Sequence, residues 1–227
     1  MAESIRLPGA LIFDMDGVLV DSNPFHVQKW AEFLDEHGIP YTREELTQNV
    51  LGHHNDHAFH HFFQDRFNDE EIARRGEEIE ARFRKAFHGH AKPVPGLEAL
   101  LAECHAAAIP MAVASSAMLK NVEFVVGELG FRPYFRCLFS ADHVEHPKPD
   151  PEIYLRVAQD LGVPPSSCIA FEDSTVGIES AKRAGMKCVA IASTFSAQEL
   201  QRHGYADHVA AGFQELSLNT LRQLSAL

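Results

Sequence analysis

Leu11-Ile12-Phe13-Asp14-Met15-Asp16-Gly17-Val18 is an apolar strand that runs directly into two aspartates and a glycine. Side chains alternate across a strand, so Asp14 and Asp16 leave on the same side, where the strand ends. Two carboxylates that close repel each other, and burying them is costly unless a cation or a proton intervenes. Such a pair can hold a hard divalent cation or divide nucleophilic from acid/base work. An isolated D-x-D-G also fits an Asx-type turn, so the other strand ends decide between the readings.

From about Ala91 onward, short apolar runs alternate with helical patterns. Met111–Ala114, Cys137–Ser140, Cys168–Phe171 and Cys188–Ile191 carry few charges, as parallel strands covered on both faces do. Between them lie helical segments at Leu97–Ala108, Asn121–Leu129, Pro151–Leu161 and Val176–Ala184, the last three stopped by Gly130, Gly162 and Gly185. This alternation predicts βαβ units: an α/β fold with a doubly wound, Rossmann-like parallel sheet whose first strand is Leu11–Phe13. In such sheets ligands sit beyond the carboxyl ends of the strands, where Asp14 and Asp16 emerge.

Residues from about Ser22 to Ala91 break the rhythm with four helical patterns, Pro24–Glu36, Arg43–Asn49, Asp56–Arg66 and Asp69–Phe87, and no convincing strand. Thr42 with Glu45 and Asn68 with Glu71 have capping-box spacing. Glu70/Arg74, Glu71/Arg75, Glu78/Arg82 and Glu80/Arg84 stand at i,i+4, which predicts a solvated, ion-paired face. The expected organisation is an α/β core of residues 1–21 and 92–227 with a small all-helical cap domain, 22–91, inserted after the first strand. Lys92-Pro93-Val94-Pro95-Gly96 is the stiff return linker.

Composition bounds the function. The 227 residues suffice for a sizeable core, and 45% of them are apolar. A net charge of -12 argues against a nucleic-acid partner, which wants clustered Lys and Arg. No apolar run approaches the length of a membrane helix, and Met1–Pro8 lacks the basic start of a secretory signal. Cys104, Cys137, Cys168 and Cys188 are scattered, as buried free thiols of a reducing, cytoplasmic compartment would be. Monomer or weak homodimer is the expected assembly.

Three more polar features fall at strand ends. Ser115 and Ser116 follow Met111–Ala114, where a hydroxyl and free N–H groups can meet an anion. Lys148 lies in His146-Pro-Lys-Pro-Asp-Pro151, where flanking prolines restrict its backbone. Glu172 and Asp173 follow Cys168–Phe171. In a parallel sheet these ends share one edge. Four carboxylates there call for Mg²⁺, and a lysine and a serine beside them suit a doubly charged oxyanion, phosphate best of all.

On these four motifs, Asp14-Met-Asp16-Gly17-Val18, Ser115, Lys148-Pro149 and Glu172-Asp173-Ser174 with Gly177 behind it, nearly the whole chain resembles the haloacid dehalogenase superfamily. The branch is the one with a helical cap after the first motif, which includes β-phosphoglucomutase and many sugar-phosphate phosphatases. The resemblance implies that Asp14 attacks phosphorus and that Asp16 is the acid/base. It also implies that Asp14, the Asp16 backbone carbonyl, Asp173 and Glu172 surround Mg²⁺, and that Ser115 and Lys148 bind phosphoryl oxygens. Branches that cleave carbon–halogen or carbon–phosphorus bonds lack an aspartate at the Asp16 position.

Specificity is expected from the cap, with Gly17, His26, Gly52, His53, His54, Ser116 and Asn121 as substrate-binding candidates. His26 occupies the place of a mutase histidine. Where the mutase loop carries a lysine and an arginine, this chain reads Leu51-Gly52-His53-His54-Asn55, and Ser116-Ala-Met-Leu-Lys-Asn121 departs from the mutase's Ser-Lys-Asn. Losing two cations weakens the grip on a bisphosphate. The expected function is therefore hydrolysis of a small phosphate ester, a sugar phosphate first, with a phosphomutase as the alternative. A receiver-like phospho-switch is disfavoured by the length and the helical insertion. His53, His57 and His60 share a helical face and could hold zinc, but only Asp56 could complete that site, so lining the cleft is the preferred role.

Overall fold

Each strand-like run is a strand in the computed structural model, which describes residues 7–226. They are β1 (Ala10–Phe13), β2 (Met111–Ala114), β3 (Cys137–Phe139), β4 (Cys168–Glu172) and β5 (Lys187–Ile191). A sixth, β6 (His208–Ala210), extends one edge. All pair in parallel in the order β3-β2-β1-β4-β5-β6. Both faces are covered, as a parallel sheet requires: Leu11 and Phe13 enter one buried cluster, Ala10 and Ile12 the other. Phe13 stacks on Phe171 of the next strand with ring centroids 4.6 Å apart, each ring contributing about 1.5–3 kcal/mol by burial. β6 is the short stretch His208-Val209-Ala210 at a sheet edge, with Val209 its one large apolar residue.

The chain winds from β1 through β2 to β3 on one side, then crosses to β4, β5 and β6 on the other. The reversal between β1 and β4 is where such sheets bind ligands. Phe13 is in register with Phe171, so Asp14 and Glu172 emerge side by side.

Residues 23–87 hold four helices and no strand: α1 (Asn23–Glu36), α2 (Arg43–Val50), α3 (Asn55–Phe63) and α4 (Asp69–Phe87). Both capping boxes form, Thr42 with Glu45 and Asn68 with Glu71. The third helix stops at Phe63 rather than Arg66 because Gln64 takes a positive φ of 52°, after which a single 3₁₀ turn follows. Trp30, Phe33, Leu34, Phe59 and Phe63 form a cluster of their own, whereas Phe83 and Phe87 join the core under the sheet. The outgoing and returning backbones pair: the Val94 N–H donates to the Leu19 carbonyl at 3.0 Å, and Val20 bridges Pro93.

The remaining helices, α5 (Leu97–Ala106), α6 (Leu119–Glu128), α7 (Glu152–Leu161), α8 (Thr175–Arg183), α9 (Ala197–His203) and α10 (Leu218–Ser225), cover the two faces. Among the described residues no helix is long and apolar enough to cross a membrane. All four cysteines are free, three of them buried and Cys137 half-buried.

The expected ion-paired face of α4 is only partly there. Arg82 bonds Glu78 at 2.6 Å and also Glu36, but Glu71 is used in the cap and Arg75 stacks on Phe67 at 4.2 Å. Arg84 turns to Glu77 and Asn121, away from Glu80. Glu80 is 5% exposed, buried between the helical segment and the sheet edge.

Candidate active site

Asp14 stands one residue past β1, its N–H bonded to the Phe171 carbonyl at 2.9 Å. Lys148, from the loop after β3, reaches it across the sheet edge: Nζ donates to Asp14 Oδ1 at 2.7 Å, Glu172 Oε1 at 2.6 Å and the Ala114 carbonyl at 3.0 Å. The lysine side chain is 2% exposed, so Lys148 belongs to the buried site and not to the solvated surface. The loop that presents it is fastened by Glu152, which accepts the N–H groups of His146 at 2.8 Å and Glu145 at 3.1 Å. These backbone bonds, His146 first, hold the Glu152 carboxyl down to about 2. Tyr154, fully buried on α7, donates its hydroxyl to Glu172 Oε1 at 2.6 Å.

Oxygens of Asp14, Glu172 and Asp173 lie within 4.8 Å of one another, all buried. Burial pushes the Asp14 carboxyl well up against the pull of Lys148, and its neighbours Glu172 and Asp173 push it further. Burial, then the Glu172 charge, raise Asp173 to about 7. Burial works against the Lys148 ammonium as well, yet the charges of Asp14 and Glu172 raise its pKa. One ammonium thus faces three buried carboxyl groups. That excess of hard oxygen donors fits a hard divalent cation, with Glu172 already engaged by Lys148 and Tyr154 through Oε1.

Asp16 sits under a separate set of partners. Ser22 Oγ donates to its Oδ1, and His26 Nε2 lies 3.2 Å from the same oxygen. Burial favours the neutral acid, but the His26 charge and these two bonds hold Asp16 below its ordinary value. Burial likewise disfavours protonated His26, and the Asp16 and Glu80 charges outweigh it, raising the imidazole. The ring lies flat on Phe83, centroids 3.9 Å apart, which fixes its direction. Asp14 and Asp16 therefore emerge on one side of the strand, but their surroundings shift them in opposite directions, Asp14 up and Asp16 down.

The cleft above them is lined by Asp14, Asp16, His26, Ser115, Ser116, Lys148, Gly52, His53 and His54, and also by Asn23, Trp30, Asn55, Glu80 and Met118. Ser115 Oγ accepts the Ala117 N–H at 3.1 Å, and Ser116 Oγ donates to the Gly52 carbonyl at 3.3 Å, closing the helical segment onto the sheet edge. Glu172 and Asp173 stand behind Asp14, off the wall. So does Gly17: its φ of 76° favours glycine, and any side chain there would overlap the Asp173 carboxylate. A side chain at Gly177 would overlap Glu172 in the same way. Asn121, expected at the substrate, is fully buried and bonds Glu80 and Arg84.

The histidines divide. His53 stacks on His57 at 3.9 Å, and burial with the His57 charge lowers His53 to about 4, leaving it neutral. His54 is raised by its bond to Asp56, against burial. His60 and His61 turn to the Asp56 carbonyl and to Glu45. Among the described residues these histidines form no three-ligand metal cluster.

Sequence reasoning missed Ser22, Asn23, Trp30, Glu80, Tyr154 and Thr194. Asn23 Nδ2 donates to Asp173 Oδ2 at 3.2 Å, and the Thr194 hydroxyl donates to the same oxygen. Thr194 was findable, since it follows the fifth strand as Ser115 follows the second. Trp30 and Glu80 lie on helices whose spacing says nothing about which turn faces the sheet.

The family profile described as haloacid dehalogenase-like hydrolase matches residues 11–191. The fructose-1-phosphate phosphatase YqaB of Escherichia coli is 34% identical over 186 residues, covering 79% of this chain and 94% of that protein. Among solved structures, β-phosphoglucomutase of Clostridium difficile superposes with a TM-score of 0.87 over 97% of this chain and 98% of that one, at 24% identity, a likeness of fold. CbbY of Rhodobacter sphaeroides, crystallised with xylulose-(1,5)bisphosphate, superposes with a TM-score of 0.82 over 93% and 97%, at 28% identity.

Proposed function

The chain belongs to the haloacid dehalogenase-like hydrolases and is an enzyme of that family, and on that premise we propose that it hydrolyses a small phosphate ester, a sugar phosphate first, through an aspartyl-phosphate. The observation that carries the reading is the contrast between the two aspartates: Asp14 is paired with Lys148, and Asp16 with His26 and Ser22. Asp14 Oδ attacks phosphorus as the bond to the leaving oxygen breaks, and that oxygen takes a proton from Asp16, which draws it from the protonated His26 it is paired with. Water then attacks the acyl phosphate, Asp16 takes the proton back, and inorganic phosphate leaves with Asp14 regenerated. Lys148 and the Ser115 hydroxyl meet the phosphoryl oxygens and spread the charge that develops there.

Asp14, Asp173 and the Asp16 backbone carbonyl would hold Mg²⁺, with Glu172 kept behind them by Lys148 and Tyr154. When bound, the ion supplies positive charge at the transferring phosphoryl group. Asn23 and Thr194 orient Asp173 for that task.

Hydrolysis is favoured over phosphomutation by the cleft's cap side, where His53, His54 and Asn55 stand instead of lysine and arginine. The test is a Mg²⁺-dependent assay over hexose, pentose and polyol phosphates, scoring inorganic phosphate and isomerised sugar phosphate together. β-Glucose 1-phosphate with a trace of glucose 1,6-bisphosphate is included. Phosphate release from a preferred ester is the expected result; glucose 6-phosphate without free phosphate would overturn it in favour of a mutase.

A further inference from the structure

Glu80 is the one carboxylate on the cap side of the cleft wall, and the proposed chemistry leaves it without a task. Its Oε1 accepts Asn55 Nδ2 at 2.9 Å and its Oε2 accepts Asn121 Nδ2 at 2.5 Å. Asn55 Oδ1 in turn takes the Trp30 indole N–H at 3.3 Å, and Arg84 Nη1 donates to Asn121 Oδ1 at 2.5 Å. Glu80 is thus held by two neutral amides, each anchored at its other end. Each carboxylate oxygen keeps a lone pair free, because each accepts one amide. No lysine or arginine pairs with it among the described residues; its nearest cationic partner is His26 Nδ1 at 3.9 Å.

The position along the cleft matters. Asp16, His26 and Glu80 form a row, with Asp16 on Nε2 of the imidazole and Glu80 on the Nδ1 side. From Asp16, which would meet the leaving oxygen, the row leads through His26 to Glu80 and on to Asn55. Beyond them a second cavity shares His54, Asn55 and Met118 with the cleft and runs on to Asp56, Asp69 and Asp142. Apart from Lys148, no lysine or arginine lines either cavity among the described residues.

We propose that Glu80 selects the leaving group: it accepts hydrogen bonds from hydroxyls of a neutral polyol or sugar chain and rejects esters that carry a second phosphate. This rests on the hydrolase reading and narrows it to monophosphates of polyhydroxylated metabolites. A hydroxyl donating to a carboxylate makes a charge-assisted bond, whereas a second phosphate would face a fixed negative group with no cation to meet it.

The experiment measures kcat/KM for fructose 1-phosphate, fructose 1,6-bisphosphate and p-nitrophenyl phosphate with the wild type and with Glu80→Gln, which keeps the shape and removes the charge. Ratios within one preparation cancel any unfolded fraction. The wild type is expected to favour fructose 1-phosphate over the bisphosphate at least about tenfold, and Glu80→Gln to lower that ratio at least about tenfold, mainly through KM. A ratio that Glu80→Gln leaves within about twofold, or a wild type indifferent to the second phosphate, overturns the role of Glu80 while the hydrolase reading stands. A wild type that hydrolyses none of the three overturns both.

Discussion

Replacing Lys148 with methionine tests how the core of the site is held together. The thioether keeps the stem that packs beside Tyr154, whose ring centroid lies 5.0 Å from Nζ, and removes only the ammonium. Asp14 and Glu172, 8% and 1% exposed, then face each other and Asp173 with no cation between them. Breaking a buried ion pair from one side costs about 3–5 kcal/mol. For a chain of this size about 1 kcal/mol moves the melting midpoint by roughly 2–4 °C, so the metal-free variant is expected to melt roughly 6–20 °C below the wild type. Mg²⁺ should return more stability to the variant than to the wild type, because it neutralises the same carboxylates. Turnover should fall about 10²–10³-fold, the usual loss when one group stabilising developing charge is removed. Calorimetry with and without Mg²⁺, alongside phosphate release, reads all three. A midpoint within 2 °C of wild type and turnover within tenfold would refute the charge balance inferred for the site.

Asp14→Asn is expected to abolish turnover while melting at or above the wild-type temperature, because it removes one of three crowded carboxylates; a normal rate would end the nucleophile assignment. Chelation by EDTA should stop phosphate release and excess Mg²⁺ restore it, and metal-independent turnover would contradict the cation site. Glu152, whose folded-state pKa of about 2 lies below the ordinary 4.5, contributes stability that is complete above pH 4.5 and is lost as the pH falls through about 2. Urea midpoints for wild type and Glu152→Gln should therefore differ at pH 7 and converge toward pH 2; a gap independent of pH would show that the loop bonds are not carried by the ionised carboxylate.

The sheet was legible because its central strands are buried on both faces and read as unbroken apolar runs, with polar residues at or beyond their ends. The same feature exposed Asp14, Ser115, Lys148 and Glu172 together. β6 escaped because His208–Ala210 holds only one large apolar residue, Val209, whereas the equally short edge strand β3 carries Leu138 and Phe139. Glu80 was misread for an opposite reason. Its i,i+4 spacing to Arg84 fits an exposed helix pair, and only the packing of α4 against Asn55 and Asn121 turns that carboxylate inward. Asn121 and Gly17 were placed at the substrate by motif position, but one braces Glu80 and the other makes room for Asp173. Tyr154 lay hidden because its role depends on α7 packing across β1, β2 and β3, from where its hydroxyl reaches Glu172 at the end of β4.

The pairing of Val94 with Leu19 and of Val20 with Pro93 has a topological consequence. The backbone leaves the sheet and re-enters it through neighbouring residues, so the four helices hang from a closed neck. Closing such a loop costs entropy only logarithmically in its length, about 0.6 kcal/mol for each doubling. A helical segment of another size could be grafted at the neck for little conformational penalty, and the phosphoryl-handling residues on the strand ends would keep their positions. On the proposed reading, leaving-group preference would be a detachable part of this molecule, carried by Glu80 and Asn55, while most of the phosphoryl chemistry would belong to the sheet.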